Sequence, residues 1–156
     1  MTAADAIERF TASAADLGVA VAVRRFPEGT RTAEDAAAAV GCVVDQIVKS
    51  LVLVVDDRPV LVLCSGGNRV DLAKVGAEFD GRARMANADE VRAATGFAIG
   101  GAPPFGHPSP LPTLVDPHLL GFDEVWAAAG TPDSVFPLTP GDLVAATAAR
   151  EADVAA

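Results

Sequence analysis

Metal-binding side chains are scarce in this chain: its 156 residues hold two cysteines, Cys42 and Cys64, and two histidines, His107 and His118. The cysteines lack CxxC spacing and sit in apolar sequence, which argues against a zinc knuckle or redox pair and reads both as small core residues. The histidines fall in proline-rich sequence without a HExxH pattern or clustered acids, so a catalytic zinc has little support. Other signatures are missing too. There is no GxGxxG, GxxxxGK[ST] or GxSxG, which removes the usual pointers to a dinucleotide, a P-loop phosphate or a serine nucleophile elbow. No metal and no cofactor are expected.

Long apolar runs are absent as well, the longest aliphatic stretch being Leu51 to Val55, far too short to span a membrane. Met1-Thr2-Ala3-Ala4-Asp5 carries no basic segment leading into an apolar core, so no secretory signal is expected and the location reads as cytoplasmic. Positive charge is in deficit, with 12 basic against 21 acidic residues and a net charge of −9. That argues against broad, nonspecific attraction to nucleic acid, and no DNA partner is expected. A small basic patch stays open: Arg24, Arg25 and Arg31 lie close together, as do Arg69, Lys74, Arg82 and Arg84, either as a patch or as scattered solvated charges.

What is present is an ordinary globular composition, 51% apolar and 21% charged, at a length that fits one domain over residues 1–156. Ile7, Phe10, Ala14 and Leu17 recur at helical spacing through Ala3 to Leu17, with Gly18 placed to end the helix. Val19 to Val23 reads as a strand. Thr32-Ala33-Glu34-Asp35 starts a helix that ends near Gly41. Ile47 to Val55 and Val60 to Cys64 read as a hairpin turned by Asp56-Asp57-Arg58-Pro59. Helices follow from Asp71 towards Glu78 and from Asn87 to Gly96, with strands at Leu111 to Val115 and Val125 to Ala129 and a last helix opened by Thr139-Pro140. The fold class is α/β (α+β) around a mixed, largely antiparallel sheet.

Two features bear on chemistry. Lys49 is the one charge in Ile47 to Val55, and strand alternation puts it on the face of Ile47, Leu51, Leu53 and Val55. A buried ammonium needs a partner, which could be a protein carboxylate, a bound substrate or water at the strand's end. The second feature is Gly100-Gly101-Ala102-Pro103-Pro104-Phe105-Gly106, inside a glycine- and proline-rich stretch from Phe97 to Pro117. Such a loop either presents backbone N–H groups to a carbonyl oxygen or simply turns the chain between strands.

The order of these elements resembles the YbaK-type, prolyl-tRNA synthetase-associated editing domains. The elements that carry the likeness are Val48-Lys49-Ser50-Leu51, Pro59 to Gly66 leading to Asp71-Leu72-Ala73-Lys74, Asn87 to Gly96, Gly100 to Gly106, Leu114-Val115-Asp116 and Ala127 to Gly130. The resemblance implies a partly barrel-like fold and an aminoacyl-tRNA deacylase acting in trans on tRNA for proline. It implies that Lys49 contacts the aminoacylated 3′ end, that Ser50 is the small polar residue beside it, and that Gly100 and Gly101 offer amides to the scissile ester. Ala102, Pro104, Asp116 and Ala128 are implied as further substrate contacts, Ala128 standing where many relatives carry a polar residue. In that family water attacks the ester with help from the substrate's own ribose hydroxyl. The implied partners are the acceptor end of aminoacyl-tRNA and a synthetase; a binding accessory without turnover, or a small-molecule ester hydrolase, would reuse the same pocket.

Overall fold

The computed structural model describes residues 2–30 and 32–156. Arg31, grouped above with Arg24 and Arg25, lies outside them. Its centre is the hairpin of β2 (Ile47–Val55) and β3 (Arg58–Ser65), turned by Asp56 and Asp57 at φ 46° and 68°. Two residues with positive φ make the turn whose twist matches that of paired strands, so the hairpin register is fixed locally. Around it are β1 (Arg24–Arg25), β4 (Ala83–Met85), β5 (Thr113–Val115), β6 (Val125–Ala128), β7 (Ser134–Leu138) and β8 (Arg150–Glu151). The hydrogen-bonded order is β1-β7-β6-β2-β3-β5-β8, an open path, with β4 added to β2. Four of the seven pairings are antiparallel, which makes the sheet mixed but largely antiparallel as expected.

Alternation along β2 sends its two sets of side chains into different layers. Val48, Val52 and Val54 join the larger core with α1 (Ala3–Asp16), whereas Leu53 and Val55 pack with Val62, Cys64 and Leu114 beneath α3 (Leu72–Glu78). A third cluster unites Ile47 and Trp126 with α2 (Ala33–Val40). In the larger core Phe10 of α1, Phe105 of the glycine-proline loop and Phe136 of β7 meet with ring centroids 4.9–5.9 Å apart. These tilted and edge-on contacts bolt that loop to the sheet. The helices start where the side chains dictate: Thr2, Thr32, Asp71, Asn87 and Thr139 each accept a hydrogen bond from the backbone three residues on. Asn87 opens α4 (Ala88–Thr95) and Thr139 opens α5 (Pro140–Thr147).

Several expectations need correcting. Val19 to Val23 forms no ladder; Val19, Val21 and Val23 pack on the core from an extended segment, and pairing begins only at Arg24. An alternating pattern reports a buried face, not a hydrogen-bonded neighbour. The strand expected from Leu111 begins at Thr113, after Pro112, which has no N–H to donate. Strands β4, β7 and β8 are additional, and Val125 to Ala129 shortens by one residue. No helix among the described residues is long and apolar enough to cross a membrane.

Candidate active site

A cavity of about 220 Å³ opens beside the middle of β2, bringing together Lys49, Ser50, Gly100, Ala102 and Ala128. Its inner wall is apolar, formed by Val48, Val52, Ala86, Val91 and Ala127, with the buried Trp126 also on its lining and the exposed Met85 and Ile99 at its rim. Among the described residues Lys49 has no carboxylate within ion-pair distance; its Nζ donates to the Asn68 backbone carbonyl. An ammonium carries three donors, so two remain for a ligand. Ser50 Oγ is buried and has no hydrogen-bond partner among the described residues. An orphaned polar atom facing a cavity is costly unless something binds there.

The glycine-proline loop is held rigidly. Phe97 and Phe105 are buried at its two ends, the first beneath the Arg9 guanidinium 4.2 Å from its ring centroid. His107 Nε2 lies 2.8 Å from the Pro103 carbonyl, and burial lowers the His107 pKa, opposed by that contact. A neutral ring pinned to a carbonyl donates from the nitrogen that meets it. The Gly101 N–H, expected to face the substrate, instead donates to the Ala98 carbonyl at 3.0 Å, and its own carbonyl accepts from Gly130 N–H at 3.0 Å. Gly101 does not line the cavity; Gly100 and Ala102 do, and among the described residues their N–H groups have no acceptor. The geometry therefore moves the second free donor from Gly101 to Ala102.

Gly101 has a different duty. A Cβ there would stand 2.7 Å from the Thr131 backbone, so only glycine lets the loop rest on the 130–133 turn. That turn is itself braced: Thr131 Oγ1 meets Ser134 Oγ at 2.6 Å and Thr30 Oγ1 donates to the Pro132 carbonyl at 2.7 Å. Gly101→Val is expected to lower turnover roughly 10- to 100-fold, because displacement by about 1 Å is enough to misalign reacting groups. Steady-state kinetics beside a circular dichroism melt would check this; full activity in a folded variant would contradict it.

Two other expected contacts are not brought to the cavity. Pro104 is buried and faces a separate groove with Ser13, Leu17 and His107. Asp116 is 3% exposed and its oxygens accept from Ser65 N–H at 3.1 Å, Asn68 Nδ2 at 2.9 Å and His118 N–H at 3.0 Å. It therefore organises the loop whose Asn68 carbonyl holds Lys49. Cys64, across the hairpin from Lys49, is fully buried; burial pushes its thiol up to about 11, with Lys49 pulling the other way and Asp116 adding to the rise. Such a thiol stays protonated at neutral pH and is no nucleophile.

Of the basic residues grouped above, three among those described are neutralised by acids. Lys74 pairs with Asp153, Arg84 with Glu90 and Arg25 with Asp133, at 2.8–3.1 Å. Arg24 lies over Phe26 and Trp126, 5.3 and 5.5 Å from their centroids, next to the cavity rim. Sequence reasoning missed Trp126 and the 130–133 turn; the signal for the latter was Gly130, which adopts φ 115°.

Comparison with known proteins places these features in a family. The aminoacyl-tRNA editing domain family matches residues 27–146. The uncharacterized protein YwhH of Bacillus subtilis is 34% identical over 122 residues, 78% of either chain. A proline–tRNA ligase of Lactobacillus gasseri is 42% identical over 62 residues, 39% of this chain and 11% of the ligase. Among solved structures, that of a candidate trans-editing enzyme for prolyl tRNA synthetase superposes with a TM-score of 0.94 at 46% identity, covering 100% of this chain and 99% of that one. With the family match spanning most of the chain and the cavity at its centre, this protein belongs to the aminoacyl-tRNA editing domain family and is an aminoacyl-tRNA deacylase.

Proposed function

We propose that the chain clears mischarged amino acids from tRNA for proline in trans, in the cytoplasm, alongside a prolyl-tRNA synthetase and through contacts confined to the acceptor end. The observation that carries this reading is the convergence of Lys49, the orphaned Ser50 hydroxyl and the free Gly100 and Ala102 amides on one small cavity. An aminoacyl ester is already activated, so its hydrolysis needs orientation and oxyanion stabilisation more than a protein nucleophile. Water attacks the carbonyl carbon, the carbonyl oxygen takes negative charge opposite the Gly100 and Ala102 N–H groups, and the ribose oxygen leaves with a proton. Lys49 holds ribose or phosphate beside the ester.

Kinship with a proline–tRNA ligase and with a candidate trans-editing enzyme for prolyl tRNA synthetase supports the choice of tRNA. So does the chemistry of selection: binding separates amino acids that differ by a methylene only about 10- to 200-fold, which leaves errors for a second site to remove. A net charge of −9 fits contacts limited to the tRNA end rather than its whole body. The test is deacylation of a panel of charged tRNAs by the purified protein. Mischarged tRNA for proline should be cleared first and correctly charged tRNA spared; no hydrolysis of any member, or faster hydrolysis of another tRNA, would refute the proposal.

A further inference from the structure

The sheet has a gap where the cavity lies. The outer edge of β2 pairs with β6 only at Ile47 and Val48 and with β4 only from Leu53 to Val55, so among the described residues Lys49 to Val52 has no strand neighbour on that side. The hairpin register decides which backbone groups face the gap. Val55 and Arg58 flank a two-residue turn, and Gly66 N–H donates to the Ile47 carbonyl at the far end, so the odd-numbered residues of β2 bond to β3. Even-numbered residues bond outward, as the Val52 carbonyl does in accepting from Ala86 N–H at 3.1 Å. Ser50 is the even-numbered residue in the middle of the gap. Among the described residues its N–H and C=O meet no backbone or side-chain partner, and its hydroxyl is orphaned too.

Backbone groups without a protein partner must bond to water or to a ligand, so an unpaired pair at a cavity wall is a place where a ligand can dock. An amino acid ester carries a donor on the α-nitrogen and an acceptor on the carbonyl, the same pattern that a strand residue presents to its neighbour. Among the described residues no acidic side chain lines the cavity, so a cationic group entering it has carbonyls, not carboxylates, to meet. Strand alternation turns the Lys49 side chain from Ser50 towards the Asn68 carbonyl, so its ammonium serves the ribose or phosphate end of the substrate and not the α-amino end. We infer that the α-amino group of the aminoacyl ester donates to the unpaired Ser50 carbonyl, so that the substrate completes the sheet by a single residue. This is strand addition reduced to its smallest unit, and it reads the backbone of the amino acid whatever its side chain. The apolar inner wall is then left to judge the side chain.

The inference rests on the editing reading of the cavity, and its test does not depend on turnover. Calorimetric titration would compare 3′-deoxy-3′-(L-alanylamino)adenosine, whose amide resists hydrolysis, with the propionyl analogue lacking the α-amino group. The amino compound should bind at least ~10-fold more tightly, since a charge-assisted hydrogen bond is lost in the other. That ratio should persist in Ser50→Ala, which keeps the carbonyl and removes the hydroxyl. Equal affinities, binding of neither compound, or loss of the ratio in Ser50→Ala would each overturn the inference. Failure of the tRNA panel with the binding ratio intact would refute the proposed activity instead.

Discussion

Lys49→Ala is expected to cut deacylation roughly 10²-fold or more while leaving the protein folded, since removing one positioned donor from a water-poor site has an effect of that order. The side chain is half-buried, makes no ion pair among the described residues, and bonds only to a backbone carbonyl. Its removal therefore strands no buried carboxylate, and the thermal midpoint should move little. Single-turnover deacylation beside a calorimetric scan separates the two effects. Lost activity with an unchanged melt supports a substrate-facing lysine; lost stability with unchanged activity would return Lys49 to a structural role.

Asp116→Ala should show the opposite balance. Three donors, from Ser65, Asn68 and His118, lose their acceptor; Ser65 is fully buried, Asn68 half-buried and His118 exposed. An unsatisfied buried donor costs about 1–3 kcal/mol while water can serve an exposed one, so a loss of about 1–3 kcal/mol is expected, chiefly from Ser65. At this chain length that lowers the melting midpoint by about 2–12 °C. Activity should fall as well, through the Asn68 carbonyl that steadies Lys49, and partial rescue is expected from Asp116→Asn, which retains one acceptor oxygen. A melt within a degree of wild type would show that the Asp116 carboxyl group is not the keystone of this loop.

How much was legible before the structure differs residue by residue. The Lys49 face was readable because β2 is uniformly aliphatic apart from Lys49 and Ser50, and alternation leaves no freedom once the strand exists. Caps at Thr32, Asn87 and Thr139 were readable because they act within one turn. Asp116 was identified as important, but nothing local tells whether an acid at a strand end looks into a pocket or ties down a neighbouring loop. Gly101 was misjudged for the same reason: its N–H is claimed by Ala98 and its missing side chain by Thr131, and the second contact lies thirty residues away in sequence. The gap beside Ser50 was invisible because it depends on where two distant strands stop. Strand β7 escaped because Pro137 is its last residue but one; the proline is tolerated there because β1 pairs only with Ser134 and Val135 and leaves that edge free.

The gap also bears on how this strand edge escapes pairing with another chain. A free strand edge is normally an invitation to another chain, and natural sheets defend theirs with charge, proline or cover. Here the defence is brevity. The ladders that close on either side of Ser50 leave an opening of four residues, too short for a foreign strand to gain register yet long enough for a monomeric unit to dock. An edge that would nucleate aggregation if extended is harmless at this length, and the same fold can keep it open.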